Sequence, residues 1–180
     1  MTASTITGPE ATFSAPGTPP AESAAPKGRR ARARWHYTIG QKLVLILQDG
    51  LIKPATAGVP PGEKPIVWFS SNPNWEPTAC KATFDENGVF SRLTMAETAD
   101  LGGGLVRFAV APETAPHDWR ALKDLSGMAG WMAQHLYREG ITQGARPGDW
   151  WGTFDPVPRS KWIAVQVYDS GRWVDVPFDK

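Results

Sequence analysis

Between Trp35 and Val176 short strand-like and helix-like runs follow one another without regular βαβ alternation, and that order limits the fold more than any other feature. Parallel doubly wound sheets need each strand followed by a crossover helix, so the irregular order favours an α+β domain of short, mostly antiparallel strands with packed helices. The apolar runs Trp35–Thr38, Ile66–Ser70, Leu105–Val110, Trp150–Phe154 and Lys161–Tyr168 have strand character. Ser170-Gly171 is a two-residue turn before Arg172–Val176, so a β-hairpin closes the chain. Helices are predicted over Gln41–Gln48, with Gly50 as a left-handed C-cap, and from the capping box Thr94–Glu97 to near Gly102-Gly103-Gly104. A short one over Trp75–Lys81 would be capped by Asn72 or Asn74. Two more cover Asp118–Lys123 and Ser126–Glu139. In the last, Met128, Trp131, Met132, His135 and Leu136 share an apolar face and Gly140 ends the helix.

Composition sets the boundaries. Residues 1–26 are dominated by Ala, Thr, Ser, Pro and Gly and lack the apolar surface to offset chain entropy, so this segment is predicted to be disordered. Five cations fall within residues 27–34. Removing them and the tail's Glu10 and Glu22 from the whole-chain +1 leaves residues 35–180 at about −2, so the basic character belongs to the junction. The run reads as solvated linker, with phosphate contacts to a nucleic acid as its functional alternative. The division is a tail over 1–34 and a globular domain over 35–180. The chain, with one cysteine and no apolar run of membrane-spanning length, is expected to be cytoplasmic and free of the membrane. Nine tryptophans are many for one small core, and some are expected to line a groove or interface.

Three histidines and Cys80 are too scattered for a zinc site. His135 reads as a core residue. Gly102-Gly103-Gly104 lacks the strand, helix and lysine of a phosphate loop and reads as a connector. Arg107, inside an apolar strand, needs an anionic partner, either a carboxylate or a ligand phosphate. The densest chemistry lies in residues 35–81: His36-Tyr37-Thr38, a helix of type Leu-x-x-Ile-Leu-x-x-Gly, then Pro65-Ile66-Val67-Trp68-Phe69-Ser70.

These motifs resemble the N-terminal half of the ADP-ribosyltransferase superfamily, over about a quarter of the chain. The resemblance implies an ADP-ribosyltransferase-like fold that binds NAD as substrate and transfers ADP-ribose to a macromolecular acceptor. It makes His36 the ribose contact, Thr38 a secondary polar contact, Trp68 or Phe69 the wall stacking on nicotinamide, and Ser70 the supporting hydroxyl. Trp68 and Ser70 share a strand face, which favours Trp68. With Arg107, these residues would hold the dinucleotide. The chain departs from the family in having Trp or Phe where a tyrosine is usual, and no glutamate follows Glu139. Asp149 is the positional substitute for the catalytic carboxylate, Asp155 comes next, and Glu76 is a second candidate. The carboxylate would stabilise an oxocarbenium-like ribosyl centre. The alternative is a non-catalytic module of the same architecture that binds a nucleotide, nucleic acid or protein segment.

Overall fold

The computed structural model describes residues 33–179, so the tail and most of the basic junction lie outside the described residues. The domain is α+β, and every strand pairing in it is antiparallel. The main sheet is built from β1 (Arg34–Ile39), β3 (Val67–Ser70), β6 (Leu105–Val110), β7 (His117–Asp118), β8 (Trp150–Thr153), β10 (Trp162–Asp169) and β11 (Arg172–Val176). Its order is β11-β10-β6-β1-β3-β8-β7. Small two-stranded sheets join β2 (Leu51–Ile52) to β9 (Val157–Pro158) and β4 (Ala82–Phe84) to β5 (Phe90–Arg92). The helices are α1 (Gly40–Asp49), α2 (Met95–Gly102), α3 (Trp119–Leu125) and α4 (Gly130–Thr142).

Each face of the sheet has its own core. Val67, Phe69, Val106, Phe108 and Val165 form one, against which Leu43, Ile46 and Leu47 of α1 pack. Trp35, Tyr37, Ala109 and Ala164 form the other, with Trp75 and Trp173 against them. All six residues of β6 are buried because the strand is central and covered on both faces, which explains its unbroken apolar run around Arg107.

The expected ends of α1 and α2 are observed. Gly50 and Gly103 close them in the left-handed conformation, and the Thr94–Glu97 capping box is complete. The glycine triplet is more than a connector. A Cβ on Gly40 would lie 2.0 Å from the Gly103 carbonyl, and one on Gly102 2.5 Å from Ile39, so the start of α1 and the end of α2 touch through backbone.

Three local expectations are corrected. Residues 75–81 form no α-helix. A 3₁₀ turn spans Pro77–Ala79, and its cap is the Glu76 carboxylate, which accepts from Thr78 N, in place of Asn72 or Asn74. The last helix starts at Gly130 and passes through Gly140 to Thr142. Its buried stripe runs through the small residues Ala133 and Gly140, leaving Trp131 69 % exposed and His135 on the surface. The reason is space: a Cβ on Gly140 would meet the Trp150 indole at 2.4 Å, so this helix packs too closely for large side chains. The β4–β5 hairpin was not expected. It is fully exposed and is turned by Asp85, whose Oδ1 accepts from Asn87 N and Val89 N.

Arg34, the last residue of the basic run, is structural. Its guanidinium donates to the Pro112 and Ala115 carbonyls and lies 3.2 Å from the centre of the Trp151 ring. Burial lowers its pKa to about 10, partly opposed by Asp118 and Glu113.

Candidate functional site

The site begins with a gap in the sheet. β1 and β6 pair along their whole length, but β1 and β3 are paired only at Trp35↔Ser70. Below that point a side chain takes the place of the missing ladder: His36 Nδ1–H donates to the Trp68 carbonyl at 2.9 Å. A donor at Nδ1 places the lone pair of the neutral ring on Nε2. The ring rests against Phe69 and Phe108, with centroids 5.7 and 6.4 Å away. Burial lowers the His36 pKa to about 4; the bond to the Trp68 carbonyl opposes the shift and the positive charge of Lys81 adds to it. His36 is therefore a neutral acceptor at physiological pH.

Beside this split lies an open cavity of about 430 Å³, within the range of small-molecule sites. Four of the nine tryptophans line it: Trp35, Trp68, Trp119 and Trp150. Three of these form a continuous wall. Trp68 lies 6.3 Å from Trp119, and Trp119 meets Trp150 edge-on at 5.2 Å. Gly152 permits this arrangement. A Cβ there would fall 2.8 Å from Ile66 and 3.1 Å from Leu122, so α3 could not approach β8.

Two carboxylates line this cavity, half-buried Glu139 and Glu76, and Glu76 is the buried one, 93 % buried. Ser70 Oγ donates to its Oε2 at 2.8 Å. Thr78 Oγ1, at 2.8 Å, and Trp150 Nε1, at 3.1 Å, donate to its Oε1. Both oxygens of this buried carboxyl group are thus held in place by neutral side-chain donors.

The loop that presents Glu76 is clamped by side chains from three strands of the sheet, β1, β6 and β11. Tyr37 Oη of β1 donates to the Asn72 carbonyl at 2.6 Å, Arg107 of β6 to that of Pro73, and Trp173 Nε1 of β11 to that of Asn74 at 2.8 Å. Arg107 also donates to Gln166 at 2.7 Å and lies between Trp35 and Trp173, 3.8 and 4.4 Å from their ring centres. Burial raises the Tyr37 pKa to about 12, with Arg107 opposing the shift.

His36, Trp68, Ser70 and Glu76 thus share one cavity. Thr38 is buried in β1 and Arg107 lies in the clamp; neither lines the cavity. Asp149 also lies outside it, its Oδ1 accepting from Ser71 at 2.8 Å and its carbonyl from Ser71 N. The expectation for stacking residues split Trp68 and Phe69 between two faces. Phe69 is 3 % exposed in the core, whereas Trp68 is partly open to the cavity. Trp119, Trp150, Lys81 and Arg92 also line it and were not expected. Trp150 lay in a predicted strand and Trp119 and Lys81 in predicted helices, but nothing local placed any of them at the cavity. They arrive from a strand, a helix and the base and end of a hairpin, whose relative positions depend on packing. No protein-family model, characterised protein or solved structure matches this chain.

Proposed function

We propose that the cavity is an ADP-ribosyltransferase-like NAD site in which Glu76, rather than Asp149, is the carboxylate. The observation that carries the reading is the meeting of His36, Trp68, Ser70 and Glu76 in one cavity where β1 and β3 separate. His36 Nε2 accepts from a ribose hydroxyl, and the Trp68–Trp119 wall stacks on nicotinamide. The nicotinamide–ribose bond breaks with its electron pair leaving on nicotinamide. Glu76 stabilises the positive ribosyl centre that develops, and a nucleophile of a macromolecular acceptor forms the new bond and loses its proton. Ser70 acts through Glu76, because its hydroxyl donates to that carboxylate.

A second reading, a non-catalytic nucleotide-binding module, is favoured by one observation: both Glu76 oxygens already accept hydrogen bonds from protein groups. Two measurements separate the readings. At 100 times its dissociation constant a ligand stabilises by about 2.7 kcal/mol, or roughly 5–10 °C in a domain of this size. NAD and ADP-ribose should give such a shift, and Trp68→Ala should lose it. The absence of any shift with NAD, ADP-ribose and nicotinamide removes the NAD reading. If NAD binds, nicotinamide release that is abolished in Glu76→Gln and retained in Asp149→Asn supports the enzyme. Binding without release leaves the module.

A further inference from the structure

Two cations line the cavity without an ion-pair partner among the described residues. Lys81 and Arg92 both line it, and the β4–β5 ribbon brings their backbones together: Ala82 pairs with Arg92, and Leu93 N donates to the Lys81 carbonyl at 2.9 Å. Lys81 N donates to the fully buried Thr98 Oγ1 at 3.0 Å, which ties the base of the ribbon to α2. The Lys81 ammonium is half-buried, and the charged residue that most affects it is another cation, Lys42. Among the described residues neither Lys81 nor Arg92 makes an ion pair. The cavity's acids leave them uncompensated: the bonds to Glu76 come from hydroxyl, amide and indole donors, and Glu139 on α4 pairs with neither. A partly desolvated ammonium that feels a second cation and has no ion pair favours a counter-charge in the cavity.

We propose that Lys81 and Arg92 form an anion subsite of the cavity that takes the phosphate or diphosphate group of the nucleotide. A lysine and an arginine lining one cavity suit an anion with several acceptor oxygens, the lysine as a point charge and the arginine as a fork. The aromatic wall is left for the rings. The subsite rests on the nucleotide reading of the cavity, and inorganic pyrophosphate tests it separately.

The experiment is titration of the full chain at low salt with pyrophosphate, ADP-ribose and adenosine, for wild type, Lys81→Met, Arg92→Gln and the double variant. Melting of the unliganded proteins within about 2 °C of one another shows that the variants fold, as expected for exposed or half-exposed sites. Pyrophosphate and ADP-ribose should each bind about tenfold or more weakly to the double variant, while adenosine is unaffected. Pyrophosphate affinity should also fall as salt rises. Wild type that does not bind pyrophosphate overturns the subsite, as does ADP-ribose bound equally by wild type and double variant. Pyrophosphate bound through both residues, with no binding of NAD or ADP-ribose, retains the subsite and retires the NAD reading.

Discussion

At the scale of single residues, His36 and Glu76 carry opposite burdens. His36 is kept neutral by burial, whereas Glu76 is buried among donors suited to an anion. The consequence for pH follows from the sign of the His36 shift. Its folded pKa of about 4 lies below the unfolded value of 6.5, so between these limits the unfolded chain binds more protons. Stability should therefore fall as pH drops from about 6.5 to 4, by roughly 3 kcal/mol at the low end. Denaturant melts of wild type and His36→Gln across that window would show it. The wild-type slope should flatten in the variant, and equal slopes would remove His36 as its source. His36 was legible in the sequence as a residue of interest because it stands in an aromatic strand. Its tautomer was not, because that depends on a carbonyl 32 residues away. Glu76 was legible only as a second choice, since Trp150 and Ser70 meet it through folding.

Among elements, the contacts that build the site come from strand edges and close helix packing. The loop at residues 72–74 is held by donors from β1, β6 and β11, so it forms only once those strands are assembled. Tyr37→Phe removes one of the three and leaves the Asn72 carbonyl unpaired, which should cost about 1–3 kcal/mol. Ligand binding at Glu76 should weaken along with it. A melting temperature identical to wild type would show that the clamp contributes nothing. Gly140 makes a second element-scale contact. Alanine there would gain about 1 kcal/mol of helix propensity but overpack the Trp150 ring by a comparable or larger amount, up to about 3 kcal/mol. Net destabilisation is expected in the wild-type background. It should reverse in Trp150→Phe, which lacks the ring atoms that a Cβ would meet at 2.4 Å. A double-mutant cycle with no coupling would disprove the contact. Here the sequence misled: a glycine after an apolar run reads as a stop, but this one lies inside the helix because a tryptophan from β8 occupies its Cβ space.

The whole molecule is an antiparallel sheet with β1 near its centre, tightly paired on one side and open on the other. Hydrogen exchange should follow that asymmetry. Amides of β6, where every residue is buried, should exchange only on global unfolding, and those of the exposed β4–β5 hairpin by local opening. Comparable protection in the two would contradict the topology. No described helix is long and apolar enough to cross a membrane. Much of the architecture was written locally. Apolar, β-branched runs mark β6 and β10, the capping box starts α2, Gly50 ends α1, and Ser170-Gly171 turns the last hairpin with both residues at positive φ. These depend on neighbours within a few positions, so they could be read from the chain directly, along with the α+β class. Tertiary packing is what brings Glu76 into the cavity and leaves Asp149 outside it, separates β1 from β3 below Trp35↔Ser70, and sets Lys81 and Arg92 along the same cavity. Each of those is a contact between distant segments. Local propensity carries no information about such pairs, because their free energy comes from burial and hydrogen bonds that exist only after the sheet has formed.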